Sequence, residues 1–193
     1  MAIIGGIAQS QRAAIRLQLD GLWAVKQFSG ILSHLANAYD SAVALHYLGT
    51  EEFLSSKELL AWVPPSDTKD SEYLNTVVFS MTNMALSTIR LRASLTAMPL
   101  QLHTVQLGPS GMFEAVGVFH PLQTVFGFVE DLRNRTAQRD QQHSSHEREL
   151  LDRMPESIRV HYAAALLGDV ECEAMAIARD PRVGELHVAL TEH

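Results

Sequence analysis

The chain has few of the residues that most often announce a chemistry. Its 193 residues include one cysteine, Cys172, which rules out an internal disulfide and any site built on paired thiolates. Cys172 stands between Glu171 and Glu173, whose carboxylates oppose thiolate formation and therefore a nucleophilic role. Charged residues make up only 19% of the chain, and 15 Lys and Arg against 22 Asp and Glu leave a formal charge of -7. A field of that sign repels phosphate backbones and anionic lipid surfaces, so neither nucleic acid nor a membrane is expected as a partner.

Several motifs are also missing. No lysine-bearing phosphate loop, three-glycine dinucleotide fingerprint, zinc-peptidase helix or nucleophile elbow occurs, so the sequence implies no cofactor and no catalytic residue. Two long uncharged runs, 73–89 and 93–113, fail as membrane spans. The second would have to hide Gln101, His103 and Gln106 in hydrocarbon, with Pro99 and Pro109 breaking the helix. The first residues lack the basic, apolar and small-residue order of a secretory signal, and a reducing cytoplasm is the expected location.

What the chain does have is apolar material: 47% of it is hydrophobic. A domain of this length should bury roughly 70% of the surface its unfolded chain exposes, and one domain over 1–193 is the expectation. Ile15, Leu17 and Leu19 alternate with Arg16, Gln18 and Asp20, which predicts a half-buried strand over 13–20. Asp20-Gly21 marks a turn. From Trp23, the positions Val25, Phe28, Ile31, Leu32, Leu35, Ala38, Ala42 and Leu45 recur at three and four and predict a helix to about Leu48, ended by Gly49. A shorter helix is expected from Glu51 to Trp62, before Pro64-Pro65, and an exposed loop over Pro64 to Ser71.

Beyond the loop, Leu74 to Met84 fits a buried strand or a buried helix, with β-branched Thr76, Val77 and Val78 favouring strand. Ile89 and Leu91 alternate with Arg90 and Arg92, and Leu100, Leu102 and Thr104 repeat the pattern, which predicts two strands joined by a short turn at Pro99. Leu122, Val125, Phe126, Val129 and Leu132 then mark a second long helix. Its distal part, about 131–153, balances five Arg against five acids and is expected to project into solvent. A C-terminal helical pair is expected over about 156–179, divided at Gly168-Asp169, and an edge strand over Glu185 to Leu190. The expected fold is α+β: a small sheet with long helices packed on one face and a helical C-terminal region.

The candidate sites are few. Gly108, Ser110 and Gly111 lie after an expected strand and before an expected helix, where helix N-termini cradle anions. A plain turn explains the same glycines. If a ligand binds there, His103 or His120 is the titrating group. His34, Tyr39, Asp40 and His46 on the first helix could join either histidine as an acid–base set, although twelve residues separate His34 from His46. His143 and His146 share a helical face and have the look of metal ligands, in a wholly polar setting that fits an exposed helix equally well. The aromatic residues exceed what one helix face on a small sheet needs. Phe126 and Phe128 cannot share a face, so Phe119, Phe126 and Phe128 divide between core and interface.

The runs Ile15-Arg-Leu-Gln-Leu-Asp-Gly21 and Ile31-Leu-Ser-His-Leu-Ala-Asn-Ala-Tyr39, with Ile89-Arg-Leu-Arg92 and Pro99-Leu100, resemble a group of poorly characterised bacterial proteins. Met98 departs from the pattern, which has serine before the proline. The resemblance covers about 13–130. It implies an accessory component encoded beside bacterial conflict and signalling systems, acting through another protein or through itself, with no catalytic residues to carry over. A non-catalytic interaction or regulatory module is the expected function, and a small enzyme or ligand sensor at the 108–111 loop is the alternative.

Overall fold

The computed structural model describes residues 11–21, 23–55, 72–106, 108, 110–134, 151–152 and 154–191. The elements run β1 (Arg12–Asp20), α1 (Val25–Leu48), α2 (Glu51–Ser55), α3 (Glu72–Thr96), β2 (Gln101–Gln106), β3 (Ser110–Val118), α4 (Phe119–Asn134), α5 (Glu156–Ile158), a π turn (Arg159–Ala163), α6 (Ala164–Arg179) and β4 (Val183–Leu190). The four strands form one antiparallel sheet in the order β2-β3-β1-β4, and the fold is α+β as expected.

β1 is the central organiser. It pairs along its whole length with β3, from Arg12 opposite Val118 to Asp20 opposite Ser110, and on its other side with β4. Its alternation does what the sequence predicts: Ala13, Ile15, Leu17 and Leu19 are buried while Arg16, Gln18 and Asp20 are exposed, so one face of the sheet is covered and the other open. α1 contributes to the cover. Phe28 meets Phe113 of β3 edge-to-face at 5.9 Å, and from Ser41 to Leu45 every residue of α1 is buried. A helix buried on all sides must be enclosed by more than a sheet, and α3, α4 and α6 all pack against it. α1 ends as predicted at Gly49, whose N–H donates to the carbonyl of His46.

Several expectations are overturned, each for a physical reason. Leu74–Met84, open between strand and helix with strand favoured, and the stretch around Ile89–Arg92, read as a strand, are one 25-residue helix, α3. Ile89 is buried but Leu91 is exposed, so the alternating Ile-Arg-Leu-Arg does not share the single apolar side a strand requires. The buried set is Ala85, Leu86, Ile89, Ala93 and Ala97, at helical spacing and mostly small, which lets α3 approach α1 closely. The 108–111 loop leads into a strand, not a helix. β3 escapes a periodicity reading because its inward residues, Phe113, Ala115 and Gly117, shrink toward one end.

The divided C-terminal pair is also corrected. α5, the π turn and α6 follow one another without a break, and Gly168 lies inside α6. A glycine in a helix costs about 1 kcal/mol relative to alanine. Here Leu166 and Val170, both fully buried on either side of it, hold the helix together. Phe128 belongs to the chain's own core, with Phe119 and Phe126 half-buried against it. Two faces of α4 can be apolar because α4 is packed by the sheet, α1 and α6 at once. The predicted edge strand is β4. Trp62, the Pro64–Ser71 loop, His143, His146 and most of the projecting polar helix lie outside the described residues.

One close approach fixes how α1 sits on the sheet. A Cβ added at Gly117 would lie 2.8 Å from the Tyr39 ring, a separation real Cβ atoms do not adopt. Gly117→Ala is therefore expected to lower unfolding free energy by roughly 1–3 kcal/mol through overpacking, measured by urea denaturation. An unchanged midpoint would show that Tyr39 shifts freely.

Candidate functional site

The residues singled out from sequence do not converge on one site. Gly108 lies between β2 and β3 while Ser110 and Gly111 open β3, and a Cβ at Gly111 would stand 2.7 Å from the backbone oxygen of Gln106, so this glycine is explained by the tightness of the hairpin. His120 lies beyond the opposite end of β3, roughly 25–30 Å along the strand from Ser110. His103 is in the middle of β2, its Nδ1 3.0 Å from Glu114 Oε1 on the open sheet face. Arg16 also pairs with Glu114. The arginine's hydrogen bond, and to a lesser extent that of His103, holds the Glu114 carboxyl below the usual range.

The first-helix set divides. His34 Nδ1 lies 2.6 Å from Glu173 of α6 and serves as a strut between helices. His46 and His120 do come together, their rings stacked with centroids 6.1 Å apart, and His46 Nε2 lies 3.2 Å from the Thr124 hydroxyl. Among the described residues, no group of three or more His, Cys, Asp or Glu is placed to hold a metal ion. Nor is any helix among them long and apolar enough to cross a membrane.

Two other features stand out, and both involve α3. The first is a cavity of about 330 Å³ where α3 and the segment after it lean on α1. Tyr39, Asp40 and Val43 supply the α1 wall; Arg90, Leu91 and Ser94 supply most of the other. Tyr39 is fixed at its floor. Its hydroxyl donates to the Met98 carbonyl at 2.7 Å and accepts from the Val118 N–H at 2.9 Å. Burial pushes its pKa up to about 12, with Asp40 adding to the rise and the Val118 bond opposing it.

Asp40 is exposed by surface area, but the apolar wall beside it raises its carboxyl above the ordinary range while Arg90 pulls it back. Arg90 itself is paired with Asp169 of α6. Sequence reasoning reached Tyr39 and Asp40 but paired them with histidines. Arg90 was missed because a residue read on a strand would not lie beside α1.

The second feature is the outward face of α3. Met81, Met84, Leu91 and Leu95 are 44%, 59%, 61% and 77% exposed. With Thr88 they follow a three-four-three-four spacing, the seam of a helix that pairs with another. Thr88 spends its hydroxyl on the Met84 carbonyl at 3.0 Å. Ser80, Ser87 and Ser94 flank the seam on one side and Arg92 on the other, so the face is almost uncharged.

Compared with known proteins, the chain matches no family model, no curated protein and no solved structure.

The Tyr39 geometry generates an alkaline test. Because its folded pKa lies above the unfolded 10.0, the stabilisation is complete below pH 10 and is lost as pH rises towards about 12. Tyr47 and Tyr162, also raised by burial, act in the same direction. Tyr39→Phe should cost about 1–3 kcal/mol at pH 7, since the Val118 N–H and Met98 carbonyl both lose a partner. It should also flatten part of the alkaline fall of the urea midpoint. An unaltered alkaline profile would show that Tyr39 does not carry it.

Proposed function

We propose that this chain is a non-catalytic interaction module that docks through the outward face of α3, and that the partner helix is α3 of a second copy. The observation that carries this is the apolar seam of Met81, Met84, Leu91 and Leu95, exposed among the described residues, while the buried stripes of α1, α4 and α6 pack within the chain. Apolar seams repeating every three and four residues bury their side chains against another helix with the same repeat. The seam positions carry no charge and the serine flank is small, so an identical face can approach without like charges meeting at its centre. Methionine supports the same role, because its flexible thioether fills an irregular interface well.

A regulatory or accessory role in a bacterial conflict or signalling system fits such a module, and its support is the resemblance of the β1 and α1 sequences. The -7 charge points away from nucleic acid. A cytoplasmic setting suits Cys172, an exposed free thiol. The alternative of an enzyme or sensor at the 108–111 loop draws no support from geometry, since His103 pairs with Glu114 in mid-strand and His120 lies beyond the far end of β3.

Sedimentation velocity tests the reading. The wild-type chain should shift from monomer to dimer with concentration. Its association should strengthen as salt rises, because apolar burial is the driving force and the net charge opposes approach. Leu91→Glu and Leu95→Glu, both at exposed positions, should leave the circular dichroism spectrum and urea midpoint within about 0.5 kcal/mol of wild type and abolish the dimer. A wild-type chain that stays monomeric at several hundred micromolar in any salt would sink the proposal.

A further inference from the structure

Among the described residues, the methionines most open to solvent are the two on the outward face of α3. Met81 and Met84 are 44% and 59% exposed. Met154 is buried, and Met98, Met112 and Met175 are partly covered. Three positions apart on one helix, Met81 and Met84 are surface neighbours. The exposed thioethers therefore coincide with the apolar seam. Leu91 and Leu95, which continue it, carry no atom that a mild oxidant alters, and the Thr88 hydroxyl is bonded to the Met84 carbonyl. Sulfur is thus the reactive element of an otherwise inert contact face.

We propose that Met81 and Met84 form a reversible modification site at which a peroxide switches off the pairing of two copies, an inference that rests on the docking of α3 against a second α3. In the step, a sulfur lone pair attacks one peroxide oxygen. An S–O bond forms as the O–O bond breaks, and the other oxygen leaves as water after a proton shift. The sulfur gives up two electrons, which the peroxide gains. The product sulfoxide is a strong dipole and a hydrogen-bond acceptor. Within the seam it has no donor to receive, because Leu91 and Leu95 carry none and Thr88 has committed its proton. Stripping water from an unpaired polar group opposes association. Each copy contributes both residues, so the opposition is doubled in the pair. Linkage also runs the other way: pairing covers the sulfurs and slows their oxidation.

The experiment uses the full chain with Cys172→Ser, which removes the exposed thiol of α6 as a second target. Hydrogen peroxide is added in excess, peptide mass spectrometry maps the sulfoxides, and sedimentation velocity follows association. Met81 and Met84 should be oxidised ahead of Met98, Met112 and Met175. Their oxidation should slow as protein concentration rises through the dimerisation range, while that of Met175 keeps its rate. With both sulfoxides in place the dimer Kd should rise roughly tenfold or more, with an unchanged circular dichroism spectrum. Methionine sulfoxide reductases of both epimer specificities, supplied with dithiothreitol, should restore the original Kd. A chain that is monomeric before any peroxide is added refutes the docking reading itself. A dimer that persists with both sulfoxides, oxidation that favours the covered methionines, or a rate at Met81 and Met84 independent of protein concentration refutes the modification site alone.

Discussion

The Tyr39 hydroxyl joins three parts of the chain that are far apart in sequence. From α1 it reaches the end of β3 through the Val118 N–H and the segment after α3 through the Met98 carbonyl, and its ring lies on Gly117. Both partners are backbone groups, so the contact sets where the main chain runs. A buried phenol must satisfy its hydroxyl, and here the phenol is 1% exposed with both hydrogen-bonding roles filled. The depth of α1 on the sheet, the direction in which α3 hands over to β2, and the absence of a side chain at Gly117 all answer to this requirement. The cavity depends on it too. Tyr39 forms the floor, and the Met98–Pro99 segment it holds forms one wall.

The faces of α3 differ in chemistry. The small residues Ala85, Ala93 and Ala97, with Leu86 and Ile89, fit it against α1. Arg90 reaches sideways to Asp169 of α6, which braces the helix against a third element. The opposite side carries exposed leucines and methionines. A buried edge that is small-residue rich and an outward edge that is large and apolar is the reverse of an ordinary surface helix, whose outer face is polar. The reversal is what the proposed association through that face would require, and the cavity lies at the flank, where Leu91 borders both features.

Legibility in the sequence varied with how many neighbours an element has. β1 and α1 were read almost to the residue because each has one unmixed period: alternation for a strand half open to solvent, threes and fours for a helix. α3 was misread. Its apolar residues lie on two opposing faces, so their sum imitates the alternation of a strand around Ile89–Arg92, and β-branched Thr76, Val77 and Val78 tilted an otherwise open reading of 74–84 towards strand. β3 went unseen because Ala115 and Gly117 stand where a strand usually has bulky residues, and their smallness reflects a tyrosine 78 positions away for Gly117. The histidines attracted attention as titrating groups, yet His34 and His103 each pair with a nearby carboxylate, Glu173 and Glu114.

By itself the sequence determined the class of the fold, the strand and helix that begin it, the turns at Gly21 and Gly49, and, with a single cysteine, the absence of an internal disulfide. These follow from composition and from local periodicity, which a chain carries whatever its neighbours are. Only the tertiary structure decided which apolar residues are core and which remain outside, and which charged residues share a cavity. Asp40 and Arg90 are fifty positions apart, and nothing in either stretch encodes the other. Their proximity is a consequence of α3 packing on α1. Packing of that kind rests on the shape complementarity of small residues, and shape leaves no period in a sequence.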